Sequence, residues 1–240
     1  GRVFQADLSI VCDMNEFAKS LSDLKPSIQP SWDDWVKKGH KNYQDFTINK
    51  GNMQDADLAG IMKWLSKTLP DDTIVSFGAG NYTQWIQRYF SHNLFGTQVA
   101  TQSAIMGYSV PAAISAGMLY PEKTILSFAG DGCFLMNGQE IATAIRYNTN
   151  VKFIVINNSR YGSIQMHQEK RFPERSIAVE LTNPDFAALA RAYGIPAMQV
   201  KTINDFIETF TELNRTAGRA FIAIITDPAV LSPRILLSCV

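Results

Sequence analysis

This chain lacks most of the features that would place it at a glance. Its three cysteines, Cys12, Cys133 and Cys239, stand far apart in a sequence of 240 residues. They form no metal-ligand spacing and no even disulfide set, which points to a reducing compartment and a cytoplasmic setting. Neither sign of charge is in excess, since 22 Lys and Arg face 22 Asp and Glu. That balance removes the electrostatic ground for binding nucleic acid or an anionic membrane. No apolar run approaches the ~18 residues of a membrane span, and the first residues do not read as a signal peptide. Two phosphate-binding signatures are also missing. There is no Gly-Lys-Ser/Thr loop, and Gly78-Ala79-Gly80 is not followed by the third glycine of a dinucleotide fold. The chain shows no internal repeat, low-complexity tract or heptad run.

What is present suits a buried α/β core: 46% hydrophobic and only 18% charged residues. Strands are expected at residues 6–12, 73–77, 124–129, 151–156, 197–200 and 221–226. Helices are expected over 14–24 (capped by Asp13), 55–68, around Trp85 to Phe90, 107–119, 184–193 and 203–213. Asn183 reads as the cap of the 184–193 helix, with Pro184 in its first turn. Strands alternating with helices predict a doubly wound, mainly parallel sheet with helices on both faces. Residues 31–50 read as a polar, aromatic helix or linker. The βα element at residues 1–30 cannot bury its apolar faces alone, so it is read as the end of a preceding domain. The first residue, Gly1, is not an initiator Met, which fits a processed or trimmed piece.

The densest signal is Gly130-Asp131-Gly132, followed after 24 residues by Asn157-Asn158. Each element ends an apolar strand, so a βαβ unit sets a carboxylate and an amide oxygen at the carboxyl ends of two parallel strands. Hard oxygen ligands of this kind suit Mg²⁺, which usually shares its coordination with phosphate. Glycines flanking Asp131 let backbone approach a phosphate closely. The following helix is expected to begin near Met136 or Asn137, with its N-terminal amides facing the same space. Alone, the tripeptide reads equally as a capped strand-to-helix turn, and paired asparagines as a turn. The combination is more specific than either part.

With these motifs, residues 51–230 resemble the C-terminal, diphosphate-binding domain of thiamine-diphosphate enzymes of the acetolactate synthase and pyruvate decarboxylase superfamily. The resemblance implies that Asp131 and the Asn158 side chain are Mg²⁺ ligands, with the carbonyl of Arg160 as a third. Gly80, Asn81 and Tyr82 stand where the family has Gly-Gln-His, whose polar residues bind diphosphate oxygens. Met106, within the Met-Gly-x-x-x-Pro-Ala-Ala match, takes the apolar position that props the cofactor in its bent form. The Ala104 carbonyl would accept a hydrogen bond from the cofactor's aminopyrimidine. Gly130, Gly132, Cys133, Tyr161, Gly162, Ser163 and Ile164 complete the implied cofactor contacts. Cys133 also reads as a small buried neighbour. Ile164 and His167 are candidates for the substrate pocket. His167 is equally a proton shuttle or a surface or packing residue. The pyruvate decarboxylase branch has Glu at the position of Ile164, so the resemblance leans toward acetolactate synthase. Lys170, Arg171, Glu174 and Arg175 read as a solvated lid.

The resemblance further implies decarboxylation or carboligation of 2-oxo acids with thiamine diphosphate and Mg²⁺. The family's activating Glu lies on an N-terminal pyrimidine-binding domain, and no segment here resembles that domain. No catalytic acid or base is therefore assigned within this chain, which is expected to bind the cofactor weakly and turn over nothing alone. The expected organisation is residues 1–30 from a central domain, 31–50 a linker, and 51–240 the diphosphate and Mg²⁺ domain. The pyrimidine-binding domain would come from the same or a partner subunit, in a homodimer or homotetramer. FAD, held by some relatives in the central domain, is not inferable. Benzoylformate-decarboxylase-like or glyoxylate-carboligase-like chemistry is the near alternative, and a non-catalytic nucleotide-binding module the distant one.

Overall fold

A computed structural model describes residues 3–25, 31–48, 56–215 and 218–239. It divides into two compact units, Gly1–Phe46 and Thr47–Val240. In the first, α1 spans Met14–Ser22 and α2 Asp33–Phe46. Asp13 caps α1, its carboxylate accepting the Asn15 N–H at 2.8 Å. Neither helix buries a residue. The strand expected at residues 6–12 does not form, and its residues are exposed coil and bend. A lone extended segment has no neighbour to take up its N–H and C=O groups, so its apolar residues cannot make a sheet.

The second unit is built on six parallel strands: β1 Ile74–Phe77, β2 Gln98–Ala100, β3 Ile125–Gly130, β4 Val151–Asn157, β5 Ala197–Val200 and β6 Ala220–Ile225. Their order is β2-β1-β3-β4-β6-β5. β1 and β4 are buried at every position and β3 at all but the last, as strands covered on both faces must be. The helices are α3 Leu58–Thr68, α4 Thr83–Tyr89, α5 Ser109–Leu119, α6 Asp131–Asn137, α7 Ile141–Arg146, α8 Gly162–Arg171, α9 Phe186–Ala192 and α10 Ile203–Arg215. Right-handed crossovers sort them into two layers. α3, α4 and α10 pack together, with Trp64 edge-on to Phe206 at 6.2 Å and Phe210 at 5.7 Å. α5, α6, α7 and α9 cover the other face. The doubly wound expectation therefore holds.

Several boundaries differ from the sequence reading. α6 begins at Asp131 itself, with Gly130 in extended conformation before it, rather than near Met136. Asn183 does not cap α9. Asp185 does, accepting the Ala188 N–H at 2.9 Å. The edge strand β2 and a hairpin, β7 Val230–Ser232 with β8 Ile235–Leu236, carry too little pattern to be read from sequence. Among the described residues no helix is long and apolar enough to cross a membrane.

Lys152 breaks the apolar run of β4. It is 3% exposed, and its ammonium donates to the Gly218 carbonyl. Burial lowers its pKa. A lysine depressed in the folded state favours unfolding at pH values below its folded pKa. The penalty fades as pH rises through that value toward the ~10.4 of the unfolded chain. Lys152→Met should therefore raise stability at pH 7 by about 1 kcal/mol. Its advantage over wild type should shrink toward pH 10 in unfolding titrations. A variant less stable than wild type at pH 7 would refute this account of Lys152.

Candidate functional site

The sheet reverses its winding between β1 and β3. The chain leaves β1 toward β2 on one side and β3 toward β4 on the other. In open α/β sheets the crevice outside the carboxyl ends at such a reversal is where ligands bind. The register makes this rim level. Phe77 pairs with Phe128, Gly130 with Ile156, and Asn157 with Ile225. The segments that follow β1, β3 and β4 therefore leave the sheet side by side. They surround a cavity of about 350 Å³.

From β3 comes Asp131, 3% exposed. One carboxylate oxygen accepts the Gly132 N–H at 2.8 Å and the other accepts Asn183 Nδ2 at 2.8 Å. Burial raises its pKa, and hydrogen bonds from Gly132, Asn183, Ser159 and Asn158 oppose that rise only in part. No Lys or Arg forms an ion pair with it among the described residues. A buried carboxylate without a cation is an incomplete arrangement, and a divalent ion would complete it. Gly132 is required by space, because a Cβ there would lie 2.5 Å from the Tyr161 ring.

From β4 comes the turn Asn157 to Arg160. Asn157 Oδ1 accepts both the N–H and the hydroxyl of Ser159, at 3.1 and 3.3 Å. Asn158 Oδ1 accepts the Arg160 N–H at 3.1 Å. Ser159 takes φ 54°, a left-handed turn residue. Residues 159–161 then pair with 179–181, through Leu181 N–H to Ser159 C=O and Tyr161 N–H to Val179 C=O. That ladder uses the Ser159 carbonyl and the Tyr161 N–H, on either side of Arg160, and leaves the Arg160 carbonyl outside it. Its guanidinium is held by Glu180 at 3.0 Å. Asp131, the Asn158 amide and the Arg160 carbonyl together offer only oxygen ligands, the set a Mg²⁺ ion takes. Among the described residues there is no group of three His, Cys, Asp or Glu that could hold a metal.

The β1 side differs from expectation in detail. Tyr82 lines the cavity with its ring, but its hydroxyl accepts the Gly78 N–H at 3.0 Å and donates to the Phe128 carbonyl at 3.4 Å. Burial pushes this phenol well above its usual pKa, so it stays protonated and committed to the framework. Asn81 Oδ1 accepts the Ser163 hydroxyl at 2.9 Å and ties the β1 loop to the start of α8. Cys133 is buried, and its sulfur accepts the Gly107 N–H at 3.1 Å. It also lines the cavity.

Ala104 and Met106 also line the cavity. Ala104 has φ 51°, a conformation that costs a residue with a Cβ about 1 kcal/mol and is typically held where a site requires it. Gly80, Gly130, Gly132, Tyr161, Gly162, Ser163 and Ile164 complete the expected set around the same space. His167 does not join them. It is exposed on α8 and is not among the residues that line the cavity. Sequence reasoning missed Asn183, whose amide reaches both Asp131 and Asn157, and the cavity wall at Ala79 and Ile156.

Comparison with known proteins agrees with this geometry. Residues 78–224 match the model of the family described as thiamine pyrophosphate enzyme, C-terminal TPP binding domain. The acetolactate synthase large subunit of Lactococcus lactis subsp. lactis (strain IL1403) is 30% identical over 220 residues, covering 88% of this chain and 38% of that protein. The acetolactate synthase large subunit of Parasynechococcus marenigrum (strain WH8102) is 32% identical over 204 residues, covering 83% and 33%. The chain thus spans little more than a third of the length of these relatives. In fold it resembles the Rhodococcus jostii RHA1 thiamine diphosphate-dependent 4-hydroxybenzoylformate decarboxylase, with a TM-score of 0.70, 22% identity, and coverage of 76% and 35%. The matched segment runs from the glycines after β1 to within one residue of the end of β6 and contains the whole of the cavity wall. The chain therefore belongs to the thiamine pyrophosphate enzymes and carries their C-terminal TPP-binding domain.

Proposed function

We propose that the cavity holds the diphosphate of thiamine diphosphate through Mg²⁺, as the cofactor half-site of an acetolactate-synthase-like enzyme. The observation that carries this reading is the buried carboxylate of Asp131, without a Lys or Arg ion pair among the described residues, at the winding reversal of the sheet. Asp131, the Asn158 side chain and the Arg160 carbonyl would hold the ion. The narrow floor at Gly130 and Gly132 admits phosphate oxygens close to backbone. Met106 and Ile164 supply apolar wall for the cofactor's thiazolium end, and Ala104 the carbonyl for its aminopyrimidine. When bound, the cofactor supplies the carbon nucleophile and electron sink for a 2-oxo acid. Ile164 carries no titratable group, so it excludes water from that wall without moving a proton. The proton-handling Glu is assigned to a pyrimidine-binding domain of the same or a partner subunit, in a cytoplasmic homodimer or homotetramer. On this reading residues 1–50 are the end of a central domain and its linker. The 240-residue chain alone would bind cofactor weakly and show no turnover.

A panel of 2-oxo acids, given to the full-length protein with thiamine diphosphate and Mg²⁺, tests this. Pyruvate should yield both CO₂ and a ligated acetohydroxy acid. Release of aldehyde from benzoylformate with no ligated product would move the assignment to a benzoylformate decarboxylase, and ligation confined to glyoxylate would move it to a glyoxylate carboligase.

A further inference from the structure

We propose that Asn183 is a positioning residue that sets the Asp131 carboxylate and the Asn157–Arg160 turn in mutual register for the metal; this rests on the cofactor reading above. Its Nδ2 donates to Asp131 Oδ2 and to Asn157 Oδ1, both at 2.8 Å. An amide NH₂ has two protons, and here each meets an acceptor. Reversing the amide would set its oxygen against both of those acceptors, so the surroundings fix its orientation. The partners lie at the carboxyl ends of β3 and β4, separated from Asn183 by 52 and 26 residues of sequence. Asn183 is thus one side chain touching both proposed ligand segments. Asn157 transmits the tie, because the same oxygen receives the Ser159 N–H and hydroxyl that shape the turn presenting Asn158 and Arg160.

The amide's own oxygen is buried and has no protein partner among the described residues. A group kept only to fasten this segment would not need that unfavourable feature. Fastening is available elsewhere: the 159–161 ladder, the Arg160–Glu180 ion pair and the Asp185 cap hold the segment on either side. The Ser159 and Asn158 backbone of the turn also reaches the Asp131 carboxylate, and Asn183 adds the side-chain donor that holds its second oxygen. Asn183 leaves each carboxylate oxygen with a fixed protein donor on one side, so the remaining lone pairs have a defined direction.

The test is Mn²⁺ affinity, read by electron paramagnetic resonance on the full-length protein with thiamine diphosphate present. Wild type is compared with Asn183→Ala, Asn183→Ser and a control, Asp185→Ala. Neither short side chain at 183 can bridge the two acceptors, so Mn²⁺ affinity should fall about 10- to 100-fold, the usual loss when a ligand's orienting partner is removed. Asp185→Ala should lower the unfolding temperature through loss of the α9 cap while leaving Mn²⁺ affinity at the wild-type value. Wild-type affinity in both Asn183 variants would overturn the positioning role. So would an equal loss in Asp185→Ala, which would make the effect a general loosening of the segment. Failure of wild type itself to take up Mn²⁺ with thiamine diphosphate would instead overturn the cofactor reading. The Ser variant keeps a polar group at the site and answers the question should the Ala variant not fold.

Discussion

Replacing Asp131 by Ala should abolish Mg²⁺-dependent binding of thiamine diphosphate and leave the protein folded. The expectation follows from what the carboxylate does without the ion. It forms no ion pair among the described residues, and the hydrogen bonds it accepts come from the adjacent Gly132, from Asn183 and from the Ser159 and Asn158 backbone. Removal leaves the Asn183 amide its second acceptor, Asn157. The ionised group also carries a desolvation penalty, visible in its raised pKa. Losing it therefore costs the metal-free fold little. For the metal the loss is large. An orienting partner is worth about 10- to 100-fold in metal affinity, and a charged ligand exceeds that. Calorimetric titration with thiamine diphosphate, with and without Mg²⁺, checks the claim, and thermal unfolding confirms the fold. Retained Mg²⁺-dependent affinity would remove Asp131 from the metal site.

Phe134→Ala should cause the largest loss of stability, about 3–5 kcal/mol. Phe134 is 1% exposed and packs edge-on to Phe186 at 5.4 Å and Phe221 at 5.5 Å. It thereby joins α6 to α9 and to the sheet. Its backbone neighbourhood is equally tight, since a Cβ on Gly138 would lie 2.6 Å from the ring. The surroundings have little freedom to collapse into the gap. Phe134 also lies three residues after Asp131 on a helix of seven. Loosening it should weaken Mg²⁺-dependent cofactor binding at temperatures where the variant is still folded. Denaturant unfolding gives the stability change, and a loss below about 1 kcal/mol would show that the aromatic cluster repacks.

The β3–α6–β4 unit was legible because its chemistry and its pattern coincide. Apolar runs define both strands, and few residue types can serve a hard cation, so Asp131 and Asn158 stood out. The start of α6 was not legible. Gly132 is a poor helix former, and the apolar residues that signal a helix lie beyond it, yet the helix begins at Asp131. Asn183 was misassigned for a related reason. A short polar residue before Pro fits a local capping rule, while its real partners are brought in only by the fold. Asp185, two residues on, satisfies the cap instead. Tyr82 shows the opposite limit. Its position at the rim was found, but the direction of its hydroxyl depends on Gly78, just past β1, and on Phe128 in β3. The segment 6–12 has strand composition and no strand partner, so composition misled there.

The strand order has a consequence for biosynthesis. β6 is the last of the sheet's six strands to be made, yet it lies inside the sheet, between β4 and β5. Among the described residues β5 pairs with no other strand. A nascent chain that has emerged through α9 and β5 therefore carries an orphan strand with no place to dock. It must hold that strand in reserve until residues 220–225 arrive, a matter of seconds at the usual pace of translation. During that interval the exposed edge of β4 is open to pairing with other chains, and shielding by chaperones would be most valuable at this stage.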